Sequence, residues 1–364
     1  MRVATLRRDR IDNLLRRVNG RIEALCASRP GIALMEVCGT HTMAISATGI
    51  RRALDARLRL LSGPGCPVCV TSQPEIDMVT RLARRRGVAV VTFGDMLRVP
   101  GSSGSLESAR AAGADVRVVY SPLDIVAMAE AEPAREFAFA GVGFETTAPT
   151  VAATLIVARR QKLRNVSVVP MFKLIPPALR VLAGAPGLGI DGFILPGHVS
   201  AVIGTAPYRF LAEEWGMPSC VAGFEASDIL AAVDELLRQI EHGPEVAVQY
   251  RRVVRDEGNP QALAVMRRVF APADAEWRGL GRVPGSGLRL RPAFARFDAV
   301  ARFGLKPGRA VRTPCRCGDV MLGRITPPQC PLFGRRCNTE NPVGPCMVSS
   351  EGACAAYYKY ERIE

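Results

Sequence analysis

The sequence predicts an α/β protein with two parallel-sheet α/β domains followed by a C-terminal helical or irregular region. Three observations carry that prediction. Between residues 30 and 241 short apolar runs alternate with polar or glycine-rich loops and helical stretches, the pattern of parallel strands covered by helices. Past residue 243 the texture changes, and proline, glycine and arginine become frequent. Six of the eleven cysteines then fall in the last 50 residues.

Ile11, Leu14, Leu15, Val18, Ile22 and Leu25 recur at helical spacing, so residues 8–28 read as an amphipathic helix. Strands are expected at 32–37, 57–62, 88–93, 116–120, 136–143, 166–171, 191–195 and 219–223. Helices are expected after several of them, including 73–86, 122–131, 147–161 and 225–241. VGFETTA at 142–148 echoes AGFEASD at 222–228, each after an apolar strand, which points to two related halves near 30–125 and 126–240. The expected domains are therefore 1–125, 126–240 and 241–364. Residues 245–270 look helical. Residues 312–356 have little periodicity, as in a segment that folds around a metal rather than an apolar core.

A chain of 364 residues exceeds one ordinary core. No apolar run approaches the roughly 18 residues of a membrane helix, so no membrane is expected. The first twenty residues are charged throughout and lack a secretory apolar core, which makes the cytoplasm the expected location. Disulfide staples are then not the general explanation of the cysteines; metal binding and redox chemistry are. The net charge of +14 raises nucleic acid as a partner. However, the arginines are dispersed, with Arg84 to Arg86 the longest run, and aromatics do not interleave with them, so no nucleic acid is expected. An acidic protein partner or an arginine-rich genome accounts for the charge as well.

Four motifs stand where predicted strands end: Glu36-Val37-Cys38-Gly39-Thr40-His41-Thr42, Gly63-Pro64-Gly65-Cys66-Pro67-Val68-Cys69, Gly143-Phe144-Glu145-Thr146-Thr147 and Pro196-Gly197-His198-Val199-Ser200. The carboxyl ends of parallel strands form the crevice where α/β proteins bind ligands, so the four are expected to converge. Cys38 is either a small buried hydrophobe or an exposed thiolate whose pKa a helix N-terminus lowers, a soft ligand for iron or copper(I). His41 alone reads as a hydrogen-bonded structural residue. Cys66 and Cys69 suit a reversible disulfide, half a zinc site or two cluster ligands, and Thr71 to Glu75 look like a helix start just beyond. Glu145 with Thr146 and Thr147 either caps a helix or orients a ligand. His198 is a base, a hydrogen-bond donor, an iron ligand or a satisfied structural histidine. At the C-terminus Cys315-x-Cys317 precedes Cys330, Cys337, Cys346 and Cys354, spaced as neither a two-pair zinc ribbon nor the usual ferredoxin run. An iron–sulfur cluster or zinc fits these thiols.

Together these motifs resemble the HypD family of hydrogenase maturation proteins, through CGTHT at 38–42, GPGCPVC at 63–69, GFETT at 143–147, PGHVS at 196–200, CPLFG at 330–334 and CMVSSEGACAAYYKY at 346–360. The match covers most of the chain in the expected order. The resemblance implies two α/β domains plus a C-terminal [4Fe-4S] domain. It implies a complex with HypC and an interaction with HypE, which delivers cyanide, with HypF upstream. Between HypC and this chain would sit an iron carrying two cyanides and one carbon monoxide, bound by Cys38 with His198 near it. Cys66 and Cys69 match the family's redox-active pair. Installing the diatomic ligands needs electrons, which a nearby cluster would pass through the Cys66–Cys69 dithiol by thiol–disulfide exchange. The favoured cluster ligands are Cys330, Cys337, Cys354 and Cys346, with Cys317 competing for the fourth place. Cys26 and Cys220 look structural. The chain alone is expected to be a monomer. Two rival readings use the same residues: a stand-alone iron–sulfur thiol–disulfide reductase, and a zinc-stabilised interaction protein without catalysis.

Overall fold

In the computed structural model, which describes residues 2–361 apart from 186 and 188, the chain builds two parallel sheets and one antiparallel hairpin. The strands are β1 (Ile32–Glu36), β2 (Leu58–Ser62), β3 (Val88–Thr92), β4 (Val116–Val118), β5 (Glu136–Gly141), β6 (Val166–Pro170), β7 (Gly192–Pro196), β8 (Ser219–Ala222), β9 (Val246–Val248), β10 (Phe270–Trp277) and β11 (Gly281–Leu290). The first sheet has the order β2-β1-β7-β8-β9 and the second β4-β3-β5-β6. All their pairings are parallel. The central strands β1, β3 and β7 are buried at every position, as their unbroken apolar runs require in a sheet covered on both faces.

All eight expected strands form, but their grouping differs from the expectation. The chain lays down β1 and β2, leaves to build the whole second sheet, and returns with β7, β8 and β9 to finish the first. A boundary at 125/126 falls between β4 and β5, inside one sheet. Local pattern marks each strand, whereas pairing across more than a hundred residues decides which sheet it joins. The echoing segments 142–148 and 222–228 accordingly follow strands of different sheets, β5 and β8.

The segment expected to be helical at 245–270 instead contributes β9, and its helix spans only Pro260–Val269. The β10–β11 hairpin had no strong signal in the sequence. Its half-buried positions are alanines, and glycines and a proline interrupt β11. Trp277 bridges to Thr71, and Lys173 to Gly287, so the hairpin ties the second sheet to the segment after Cys69.

Residues after 300 do not form a separate core. Cys317, Val320, Met321, Cys346 and Met347 are buried in the same apolar cluster as Met35, Leu61 and Cys69 of the first sheet and Val90 and Ala138 of the second. Among the described residues no helix is long and apolar enough to cross a membrane.

Candidate functional site

β1 and β2 end side by side, and their exit loops touch. Gly63 N donates to Glu36 O at 2.7 Å, and Gly39 N donates to Gly65 O at 2.9 Å. A Cβ on Gly65 would stand 2.1 Å from Cys38 N and 2.3 Å from the Val37 carbonyl carbon, so no larger residue fits there. Cys38 is extended and opens the helix Gly39–Thr48. Its thiol is buried, with the backbone N–H groups of His41 and Thr40 near it. Burial, followed by the charge of Glu351, nevertheless pushes the thiol up to about 12. The helix start does not lower it as expected, because partial charges at a helix end are outweighed by the loss of water and a facing carboxylate.

Glu36 lies beneath this loop. It accepts from Cys38 N at 3.2 Å and from Thr42 Oγ1, and burial raises its carboxyl to about 8. Glu351 arrives from the C-terminal region, where its Oε1 accepts from Thr40 Oγ1 at 2.8 Å. It packs on Gly39, where an added Cβ would sit 2.4 Å from the Glu351 Cβ.

The two motif histidines meet on one aromatic ring. His198 is exposed and stacks on Phe224 with ring centroids 4.0 Å apart. His41 lies 4.8 Å from the same ring, and its Nε2 donates to Gly223 O at 2.9 Å. Burial pushes His41 down to about 4, so the ring is neutral, while its Nδ1 is buried without a partner. Phe224 lies in the loop after β8, within the AGFEASD segment that echoes VGFETTA but outside the four motifs, and its stacking role was not legible from the sequence.

GFETT ends a strand of the second sheet rather than the first. Glu145 is buried; its Oε1 accepts from Ile175 N at 3.0 Å and its Oε2 has no partner. Burial raises its carboxyl to about 7. It interacts electrostatically with the buried Tyr208, which also senses Cys38 and contacts Ser200 Oγ at 3.4 Å. Thr146 is exposed, and Thr147 starts the helix Ala148–Arg160 without a side-chain cap. Of the two sequence readings, the threonine cap is not made at this helix.

The Cys-x-x-Cys pair forms one short turn before the helix Gln73–Ala83, whose start is closed by the Ser72–Glu75 capping box. Cys69 N donates to Cys66 Sγ at 3.2 Å. The Cys66 thiol donates to Ser349 Oγ at 3.2 Å, and Ser349 Oγ donates to Asp95 Oδ2 at 3.1 Å. Cys69 faces Cys346, Cys346 faces Cys317, and Cys317 faces Cys315, each thiol interacting electrostatically with the next. All eleven cysteines are free thiols.

The C-terminal thiols fall into two overlapping groups. Cys330, Cys337 and Cys354 sense one another and Cys315, while Cys346 and Cys317 face Cys69. Val343 N donates to Cys337 Sγ and Cys317 N to Cys315 Sγ, both at 3.4 Å. A Cβ on Gly344 would sit 2.2 Å from Cys315 Sγ and 3.7 Å from Cys317 Sγ, so glycine makes room for sulfur there. The donor set is wholly thiol, it receives N–H···S bonds, and its charge would be uncompensated without a cation; these features fit a thiolate-ligated cluster. Among the described residues no three His, Cys, Asp or Glu side chains surround a single-ion position.

The family model described as "HypD: Hydrogenase formation hypA family" matches residues 13–361. The chain belongs to the HypD family. It is 47% identical over 341 residues to Hydrogenase maturation factor HypD of Escherichia coli, covering 93% of this chain and 91% of that one. It is 46% identical over 351 residues to Hydrogenase maturation factor HypD2 of Bradyrhizobium diazoefficiens, covering 94% and 92%. Hydrogenase maturation factor HypD of Rhodobacter capsulatus is 45% identical over 341 residues, covering 92% and 90%. The resemblance drawn from the motifs thus extends along nearly the whole HypD chain.

Asp95 and Tyr208 had no motif around them, and Ser349, although inside the matched segment 346–360, carried no sign of its partners; only the fold places them here. Two expectations follow from this geometry. Gly65→Ala should cost about 2–3 kcal/mol in urea unfolding, because backbone rather than a movable side chain blocks the new methyl. Glu145 is favoured in its protonated form when folded, so its contribution is full below pH 4.5 and is lost as pH rises through about 7. Stability should decline by on the order of 3 kcal/mol across that window, and Glu145→Gln should flatten the decline in pH-dependent urea melts.

Proposed function

We propose that this protein is a hydrogenase maturation factor which, with HypC, forms the scaffold on which the Fe(CN)2CO group is assembled, accepting cyanide from HypE, itself supplied by HypF. One observation carries the reading: Cys38, the Cys66–Cys69 pair and the C-terminal thiols, drawn from three distant segments, meet in one buried contact network. Membership in the HypD family and the names of its relatives support the same reading.

The iron is the cargo. Cys38 offers it a soft thiolate, and the raised thiol pKa means that the proton leaves only when the metal arrives. Glu351, which also contacts Thr40, faces that sulfur and offers a nearby acceptor for the proton. His198, on the exposed side of Phe224, is available to the incoming ligand or partner. Cys66 and Cys69 release two electrons and two protons as their disulfide closes, and the Cys69 N–H directed at Cys66 Sγ stabilises the first thiolate. A [4Fe-4S] cluster, when bound, supplies single electrons. Cys330, Cys337 and Cys354 would hold it, with Cys346 the fourth ligand favoured from sequence and Cys317 its competitor; Cys315 neighbours the first three, and Cys346 faces both Cys354 and Cys69.

A stand-alone thiol–disulfide reductase would use the same thiols but gives Cys38 and Glu351 no task. The test is anaerobic co-purification with HypC, an infrared spectrum and metal analysis. Cyanide and carbonyl bands with more iron than a cluster alone accounts for are expected, and Cys38→Ala should abolish the bands while leaving the cluster iron. Four irons without bands in a fully loaded complex would favour the reductase; zinc in place of iron would overturn the cluster. Cys66→Ala should lower cyanide loading at least tenfold, and unchanged loading would remove the dithiol from the reaction.

A further inference from the structure

Cys66 and Asp95 belong to different sheets. Cys66 follows β2 of the first sheet, whereas Asp95 lies in the turn Gly94–Met96 after β3 of the second. Ser349, from the C-terminal region, stands between them. Its hydroxyl accepts from the Cys66 thiol at 3.2 Å and donates to Asp95 Oδ2 at 3.1 Å. Asp95 Oδ2 also accepts from Ser350 N at 3.0 Å and Ser350 Oγ at 2.7 Å. Two segments 29 residues apart and a third more than two hundred residues further on therefore complete one directional chain of hydrogen bonds that begins on a buried thiol and ends on a half-buried carboxylate.

We propose that Ser349 and Asp95 form a proton path that serves Cys66, with Asp95 the positioning residue that draws the Cys66 proton away through the Ser349 hydroxyl. The proposal rests on the reading of Cys66 and Cys69 as a cycling dithiol. A buried thiol needs such a path, because only the thiolate attacks and burial keeps bulk solvent from taking the proton directly. Cys69 cannot do this for Cys66. Burial raises its own thiol, so it keeps its proton, and both its backbone N–H and its thiol face Cys66 Sγ as donors rather than as a base. The other ionisable group facing Asp95 is Glu351, whose carboxyl is raised by burial and, in smaller part, by the charge of Asp95. On the Cys66 side the facing groups are the Cys69 thiol on the same turn and, beyond it, the Cys346 and Cys317 thiols. The path thus runs away from the other thiols and toward the half-buried side of Asp95.

With a small disulfide as oxidant the step balances. The Cys66 S–H bond breaks, and its proton moves to Ser349 as the Ser349 proton passes to Asp95. Cys66 sulfur attacks oxidised glutathione and releases one glutathione thiolate. Cys69 then displaces the second, closing the Cys66–Cys69 disulfide. Two glutathiones take up the two protons, and the protein loses two electrons.

The full-length protein, kept anaerobic, is mixed with oxidised glutathione, and the Cys66–Cys69 disulfide is followed by acid quenching and peptide mass mapping from pH 6 to 9. Asp95→Asn should slow closure at least tenfold at neutral pH and displace the rate profile by about one pH unit to the alkaline side, the rates converging at high pH. Ser349→Ala should do the same, and Ser349→Thr, which keeps the hydroxyl, should restore the profile. Should Asp95→Asn fail to fold, the two serine variants pose the same question. Profiles of folded Asp95→Asn and Ser349→Ala that superimpose on the unaltered protein overturn the path and leave the dithiol reading standing. If the unaltered protein forms no Cys66–Cys69 disulfide at any pH, the dithiol reading falls and the path falls with it.

Discussion

The close approach of Gly65 to the backbone of Cys38 is the contact on which the rest of this site depends. Two adjacent parallel strands deliver two loops to the same point, and only a residue without a side chain lets them touch. The Gly39–Gly65 hydrogen bond then fixes where the helix after Cys38 begins, while the loop's next residue, Cys66, starts its own short turn. Cys38 and Cys66 are thereby held on neighbouring backbone with neither on a flexible arm. A third segment, Ser349 to Glu351, packs over both and supplies polar atoms to each.

Burial sets the electrostatics of this arrangement. Cys38, Glu36, Glu145, Cys337 and Cys354 all lie away from water, and in each the cost of desolvating the charged form favours the proton. The site in this state is close to neutral and dense in sulfur. Such a site is poised for a cation, because each arriving positive charge is stabilised by groups that gain by releasing protons. His41 shows the same rule with opposite sign: burial keeps it neutral, and one nitrogen is spent on Gly223 O.

The interleaved topology places contributions from both sheets at one site. The first sheet presents the ends of β1, β2, β7 and β8, and the second presents Asp95 after β3 and Glu145 after β5. Because the C-terminal thiols share an apolar core with both sheets, movement of one sheet against the other would disturb the thiol network directly. Scaffold chemistry benefits from this rigidity, since iron, partner and redox groups must hold fixed positions through several ligand additions.

The sequence by itself determined the α/β class, all eight of the strands it marked and the motifs at their ends. Each of these is written in local pattern: an apolar run for a buried parallel strand, a glycine or proline where the strand stops, a cysteine or histidine just beyond. It also determined the family, because CGTHT, GPGCPVC and the cysteine-rich tail occur in a fixed order along the chain. Tertiary structure alone decided which strands share a sheet, since β1 pairs with β7 across more than 150 residues and no local signal records the partner. It alone placed Cys346 and Cys317 against Cys69, put Cys315 among Cys330, Cys337 and Cys354, and carried Ser349 and Asp95 to Cys66. The physical reason is the same in every case: spacing along the chain fixes what a segment can form, whereas burial, charge and contact depend on which distant segments close around it.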